Sequence, residues 1–194
     1  MYLELMKVSI LLGSIREGRH SHRVAYHLQD RLSSLPGVEV RTLDLMEYDL
    51  PMLKNRWKEQ LAPDNNLAEI GKILNESEAL IFVSPEYHGS YSGVLKNAVD
   101  HYWSEFKRKP IGVVSTGSGK FGGINGSTEM QHLILSLGAF PMPFKLLVSH
   151  VKSAFNENNQ PLKPDLEKDI QKFVDEFVWF SRALVNAKRS EPVS

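Results

Sequence analysis

The sequence predicts an α/β fold in which five parallel strands, in the order 2-1-3-4-5, form a sheet with helices on both faces. Five short apolar segments alternate with segments whose apolar residues have helical spacing, which is typical of parallel sheets. Ala79–Val83 is apolar at every position, as expected of a strand covered on both faces. The number of helices and the short first unit favour this order, which makes strands 1 and 3 neighbours where the order reverses.

The strands and helices are assigned from apolar periodicity and from breaker residues. The strands are predicted at Met6–Leu12, Val38–Leu43, Ala79–Val83, Ile111–Ser115 and Phe140–Val148. The helices are predicted after the N-cap residue Ser21, around Leu67–Leu74, from Ser92, around Met130–Leu137 and from Leu166 to Phe177 and beyond.

Several local features are expected from proline and asparagine positions. Strand 3 should stop at Ser84, because Pro85 lacks the N–H that a central ladder needs. Pro141 and Pro143 place the start of strand 5 at a sheet edge. A small hairpin is expected around Asn158-Asn159, and residues 188–194 are expected to form a disordered tail.

Composition restricts the class of protein. The 194 residues predict a single domain, 1–194, and 23 basic residues balance 23 acidic ones, which argues against nucleic acid as a partner. The chain has no Cys, which excludes disulfides, thiol catalysis and iron–sulfur ligation. No apolar run approaches the length of a membrane span, and Met1–Lys7 lacks a signal-peptide pattern. The expected compartment is therefore the cytoplasm, with no membrane partner.

The loop after strand 1 predicts an anion site. Ile15 stands where a G-x-G-x-x-G dinucleotide fingerprint needs its second glycine, so that fingerprint fails. The hydroxyls of Ser14 and Ser21, the guanidinium of Arg16 and a helix N-terminus suit a terminal phosphate. The alternative from these residues is a capped helix with exposed basic side chains.

The loops after strands 3 and 4 should meet this first loop, because the carboxyl ends of parallel strands share one edge. Pro85–Ser90 is polar and aromatic, and its alternative is an ordinary strand–helix connection. Gly117–Lys120 is not a P-loop. That motif needs Gly where Val114 stands and Ser or Thr where Phe121 stands. Instead, a glycine-rich loop here lets backbone approach a flat ligand. Metal-ligand spacing, a nucleophile elbow and the acidic residues of a response regulator are all missing.

Four motifs occur in order along residues 6–185. They are Gly13-Ser14-x-Arg16, Asp44-Leu45 with Leu50-Pro51, Ser84-Pro85-Glu86-Tyr87-His88-Gly89-Ser90-x-Ser92-Gly93-x-Leu95-Lys96-Asn97-Ala98, and Ser115-Thr116-Gly117 with Gly122-Gly123. With these motifs the chain resembles the NAD(P)H-dependent FMN reductase family, flavodoxin-like proteins that include quinone, azo-dye and chromate reductases.

The resemblance implies which residues bind the cofactor. Ser14, Arg16 and Ser21 would hold the FMN phosphate, and His20 and His22 would share or replace the role of Ser21. Residues from the two later loops would surround the isoalloxazine: Pro85, Glu86, Tyr87, His88, Gly89, Ser90, Thr116, Gly117 and Ser118. The chain departs from the family at His88, where Asn is commoner, and at Ser92, where Pro is commoner.

The implied function is that of a reductase. NADPH or NADH would reduce bound FMN, and a quinone, azo compound, metal oxyanion or free flavin would accept the electrons. The flavin would carry the chemistry, so no protein residue is assigned a catalytic role. The family also implies a homodimer or tetramer, for which Trp57, Tyr102, Trp103 and Phe106 are interface candidates unless they pack in the core. An FMN-binding electron carrier and a flavin-free binding module remain alternatives.

Overall fold

The structure is a computed structural model that describes residues 5–62 and 64–191. The strands are β1 (Met6–Leu12), β2 (Val38–Asp44), β3 (Ala79–Pro85), β4 (Pro110–Thr116) and β5 (Phe140–Val148). The helices are α1 (Ser21–Ser33), α2 (Asn65–Glu76), α3 (Gly93–Asp100), α4 (Ile124–Ser136) and α5 (Pro164–Ser190), with short 3₁₀ turns at Trp57–Glu59 and Val151–Ser153.

All strand pairs are parallel, and the sheet order is β2-β1-β3-β4-β5. The predicted flavodoxin-like order is confirmed. One apolar cluster joins α1 and α5 to one face of the sheet, and a second joins α2, α3 and α4 to the other. The loops after β1, β3 and β4 consequently lie at one edge.

Strand β3 extends two residues beyond the predicted Ala79–Val83, through Ser84 to Pro85. Pro85 pairs with Thr116 of β4, and the N–H of Glu86 donates to the carbonyl of Thr116 at 2.9 Å. On its other side β3 pairs with β1 only as far as Leu12 and Val83. Because β1 has ended before Pro85, the missing N–H faces no partner strand, and the expected stop at Ser84 is wrong.

The expectations near the carboxyl terminus have mixed outcomes. Pro141 lies in an edge strand, as predicted, and β5 has a register irregularity beside it. The hairpin is confirmed by an antiparallel bridge between Phe155 and Pro161. The disordered tail is wrong for residues 188–190, which continue α5, where Arg189 contacts Glu78. Residues 192–194 lie outside the described residues.

The aromatic residues near α3 mostly pack within the chain. Tyr102 and Phe106 are buried, so they cannot form an interface, and that candidate assignment is wrong. The ring of Trp57 packs on Tyr102, with centroids 6.2 Å apart. Trp103 alone of these is largely exposed, with the guanidinium of Arg56 over its ring at 4.8 Å.

An ion pair holds the loop after β1 against the end of β2. Arg19 engages both carboxylate oxygens of Asp44, with Nη1 2.5 Å from Oδ1, and it also donates to the carbonyl of Ser14. The hydroxyl of Tyr26 donates to the same carboxylate at 2.9 Å. Both Arg19 and Asp44 have largely buried side chains. Arg19 and Asp44, which are 25 positions apart in the sequence, therefore hold the loop after β1 in place.

The surroundings of Asp44 favour its charged form. Burial alone would raise the pKa of Asp44, but hydrogen bonds from Arg19, the backbone N–H of Met46 and Tyr26 hold it below its ordinary value. A group with a lowered folded-state pKa stabilises the fold above its unfolded pKa, about 3.9 for Asp. That contribution is lost as the pH falls through the lower folded-state value.

We expect Asp44→Asn to lower the free energy of unfolding at pH 7 by about 3 kcal/mol, because it leaves the Arg19 charge buried without its partner. Denaturant unfolding measures this difference. The difference from the wild type should begin to shrink below about pH 4, where Asp44 of the unfolded chain takes up a proton, and should be lost as the pH falls through the lower folded-state pKa. Asp49→Asn, at an exposed acid in the same connection, should change stability by less than about 0.5 kcal/mol. Equal effects of the two substitutions would contradict the role of the ion pair.

Candidate cofactor-binding site

A cleft of about 590 Å³ opens at the carboxyl edge of the sheet. Ten of the predicted site residues line it: Ser14, Arg16, Ser21, Pro85, Glu86, Tyr87, His88, Thr116, Gly117 and Ser118. The lining does not include His22, Gly89 or Ser90. The three loops that the sequence assigned to one site therefore do meet around one cleft.

The start of α1 forms one end of this cleft. Ser21 is the first residue of the helix rather than its N-cap, and His20 occupies the cap position. The predicted capping role of Ser21 is wrong, because its buried hydroxyl lies 2.8 Å from the hydroxyl of Thr116 instead. This contact joins the loop after β1 to the end of β4. Both hydroxyls thus lie in the wall of the cleft.

The α1 end is suited to an anion. Among the described residues no side chain caps the helix, and its first turn contains no acidic residue. The N-terminal end of the helix dipole favours negative charge. Arg16 and Lys152 add positive charge to the lining, and Glu17 adds one carboxylate. The electrostatics favour a phosphate group here.

His20 and His22 differ in their position relative to the cleft, which only His20 lines. Nδ1 of His20 is buried without a hydrogen-bond partner among the described residues. Burial, followed by the charges of Arg23 and Lys152, lowers the pKa of His20. The ring of His22 contacts Tyr26, with centroids 6.0 Å apart. His20, which lines the cleft, is therefore better placed than His22 as an alternative to Ser21.

The loop after β3 presents an aromatic turn to the cleft. Tyr87 and Ser90 exchange backbone hydrogen bonds at 2.8 and 3.1 Å, and His88 and Gly89 between them have φ of 51° and 80°. Asn and His tolerate positive φ better than most residues, so the backbone conformation at position 88 suits either residue. The guanidinium of Arg16 lies 5.7 Å from the centroid of the Tyr87 ring, within cation–π range.

Glu86 has a contact that the sequence did not indicate. Its Oε2 accepts a hydrogen bond of 2.8 Å from the backbone N–H of Gly126, in the first turn of α4. A carboxylate at a helix N-terminus stabilises the helix through the dipole. Glu86 therefore ties the β3 loop to α4 as well as lining the cleft.

The glycine-rich loop after β4 folds tightly on itself. A Cβ at Gly117 would lie 2.9 Å from the backbone nitrogen of Gly123, and one at Gly123, whose φ is 82°, would lie 2.2 Å from Oγ of Ser115. Side chains are excluded here by the packing of the loop itself. From the sequence, the glycines of this loop are explained by the close approach of a ligand. The packing of the loop on itself is a second reason why glycine is needed here.

Several lining residues were not predicted from the sequence: Glu17, Gly18, Arg19, Val151 and Lys152. The first three lie inside the predicted loop, so their proximity follows from its shape. Val151 and Lys152 belong to the 3₁₀ turn after β5. No local motif marks that turn as part of a site, because only tertiary contacts bring it to the cleft.

The residues present fit FMN. A phosphate suits the uncapped, cation-flanked helix end, where the buried Nδ1 of His20 offers a further polar group. The Tyr87 turn and the backbone at Gly117 provide walls for a flat ring system. The cleft volume falls in the range of about 300–1,000 Å³ that is usual for cofactor sites.

Comparisons with known proteins identify the family of the chain. The family model for NADPH-dependent FMN reductases matches residues 6–153. The chain is 31% identical to an FMN-dependent NADPH-azoreductase of Staphylococcus aureus over 183 residues, which covers 90% of this chain and 95% of that protein. It is 35% identical to an FMN-dependent NADPH-azoreductase of Staphylococcus saprophyticus over 133 residues, covering 67% and 68% of the two chains.

A solved structure shows the same fold. FerB from Paracoccus denitrificans, described as a flavoenzyme NAD(P)H:(acceptor) oxidoreductase, superimposes with a TM-score of 0.78 and 24% identity, covering 92% of this chain and 98% of that one. Because the family model spans most of the chain and the S. aureus relative matches nearly all of it, the chain belongs to the NADPH-dependent FMN reductase family and is an oxidoreductase that uses FMN and NADPH.

Proposed function

We propose that the protein is an NADPH-dependent reductase of small electron acceptors and that it holds FMN in the cleft at the carboxyl edge of the sheet. The observation that carries this proposal is the pairing of an uncapped helix end, flanked by cations, with an open aromatic turn in one cleft. FMN held there would supply the redox chemistry, which is hydride acceptance from the nicotinamide and electron transfer to the acceptor.

The residues of the chain bind and orient the cofactor. Ser14, Ser21 and Arg16 are the proposed phosphate ligands, and Tyr87, Thr116 and Gly117 belong to the walls beside the ring system. The remaining predicted residues support these walls. Glu86 fixes the β3 loop to α4, and His88, Gly89 and Ser90 close the Tyr87 turn. Ser118 extends the β4 wall, and His22 lies beside the first loop.

The acceptor is proposed to be an azo compound or a quinone, with metal oxyanions and free flavin as other members of the class. The azoreductase relatives support this choice. We further propose a single-domain cytoplasmic homodimer, consistent with the exposed apolar side chains of Ile15, Met52 and Phe121 in carboxyl-edge loops. Sedimentation velocity would report a monomer if the dimer is wrong. No helix among residues 5–62 and 64–191 has the length and hydropathy needed to cross a membrane.

Anaerobic reduction tests the proposed function. NADPH added to the FMN-loaded protein should bleach the visible absorbance of the flavin, and an azo dye or quinone added next should restore it. Because the cleft is the common site for nicotinamide and acceptor, steady-state kinetics should be ping-pong. A bound flavin that NADPH does not reduce would instead support the electron carrier, and failure to bind FMN would support the flavin-free module.

Arg16→Ala should weaken FMN binding by about 1.5–3 kcal/mol, the usual contribution of hydrogen bonds to charged groups. Its side chain is exposed and lies outside the core, so the free energy of unfolding without FMN should change by less than about 0.5 kcal/mol. Fluorescence titration measures the first quantity and denaturant unfolding the second. Unchanged FMN affinity would remove Arg16 from the phosphate site.

His88→Asn should keep FMN bound and retain most of kcat, because Asn adopts the positive φ of this position. His88→Val is the matched comparison, since a β-branched residue is strained at that φ by about 1–3 kcal/mol and should destabilise the turn. Thermal unfolding and steady-state kinetics measure the two effects. A loss of about a thousandfold in kcat for His88→Asn, about 4 kcal/mol, would instead give the imidazole a part in the reaction.

A further inference from the structure

The turn after β5 forms a fourth wall of the cleft, and its backbone is held in place. The N–H of Val151 donates to the carbonyl of Gly117 at 3.1 Å, and the N–H of His150 donates to that of Gly119 at 3.2 Å. Farther along, the guanidinium of Arg23 on α1 donates to the carbonyl of Phe155 at 2.8 Å. The segment that carries Lys152 is therefore fastened to both the β4 loop and α1.

Two of the three arginines near the start of α1 have polar partners within the chain. Arg19 is bound to Asp44, Arg23 to the carbonyl of Phe155, and Arg16 lies over the ring of Tyr87. Glu17 adds a negative charge to the same lining. A phosphate monoester carries nearly two negative charges at pH 7. Arg16, a proposed phosphate ligand, supplies one positive charge, and a second cation at the cleft would match the phosphate more closely.

Lys152 is the available cation. It lines the cleft, its side chain is exposed, and its ammonium has no hydrogen bond or ion pair with any residue in the described ranges 5–62 and 64–191. Its charge contributes to the lowered pKa of His20, the residue at the N-cap position of α1. Lys152 lines the same cleft as His20 and Ser21, the residues at the start of α1.

We propose that Lys152 binds the phosphate monoester of the bound flavin, opposite the first loop and together with the N-terminus of α1. The inference rests on the proposed function, because it assigns a further binding residue to the same FMN site. Lys152 belongs to none of the four motifs through which the chain resembles its family. A flexible lysine contributes here as a point charge, without the fixed geometry of a guanidinium.

The test compares FMN with riboflavin, which has the same ring and side chain but no phosphate. The flavin-free full-length protein is titrated with each flavin, and quenching of flavin fluorescence gives the affinity. Lys152→Gln should weaken FMN binding about tenfold, because one charge-assisted contact is lost at a partly exposed site. Riboflavin affinity should not change, and Lys152→Arg should restore most of the FMN affinity.

Lys120→Gln is the matched control. Lys120 lies on the neighbouring loop with its ammonium 4.9 Å from the Phe121 ring centroid, and it does not line the cleft. Its substitution should leave both affinities within about twofold of the wild type. Thermal unfolding of each flavin-free variant checks that the exposed substitutions leave the fold intact.

Three results would overturn the proposal while leaving the proposed function in place. Unchanged FMN affinity in Lys152→Gln would make Lys152 an ordinary solvated lysine. Equal weakening of FMN and riboflavin would mean that Lys152 acts on the shape of the cleft. An unchanged FMN affinity with a raised KM for NADPH but not NADH would assign Lys152 to the 2′-phosphate of the nicotinamide cofactor. A wild-type protein that binds neither flavin would reject the proposed function and this inference together.

Discussion

The ion pair between Arg19 and Asp44 is the constraint on which the cleft depends. It connects the loop after β1 to the last residue of β2, and Arg19 also binds the carbonyl of Ser14. A buried pair of this kind is weak evidence for stability, since desolvation offsets much of the attraction. Its value here is geometric: it fixes the loop so that Ser14, Arg16 and the start of α1 face one space.

Two further sets of contacts complete the cleft walls. The hydroxyls of Ser21 and Thr116 join the first loop to β4, and the glycines at 117 and 123 let the β4 loop fold closely enough to meet the turn after β5. Each wall of the cleft is therefore held in place by contacts with another wall rather than by contacts within its own segment. A change in any one of these segments would displace the others, because closely packed loops transmit displacement.

This arrangement suits a protein whose cofactor carries the chemistry. The chain supplies a positive end, an aromatic turn and backbone walls, and bound flavin would supply the group that takes a hydride from NADPH and passes the electrons on. The protein then has no need of a dedicated acid–base pair. The cleft is also open at the carboxyl edge of the sheet.

The sequence by itself determined the strands, their order, the edge on which the site lies and ten of the residues that line the cleft. These features follow from apolar periodicity and breaker residues, which act locally, and from the rule that carboxyl ends of parallel strands meet. Only the tertiary structure decided that Pro85 stays in β3, that Ser21 binds Thr116 instead of capping α1, that Tyr102 and Phe106 are buried, and that Lys152 reaches the cleft. The physical reason is that these outcomes depend on which distant groups come within contact distance. Where β1 ends, which carboxylate takes Arg19 and where the turn after β5 lies are properties of the packed chain, and no local pattern encodes them.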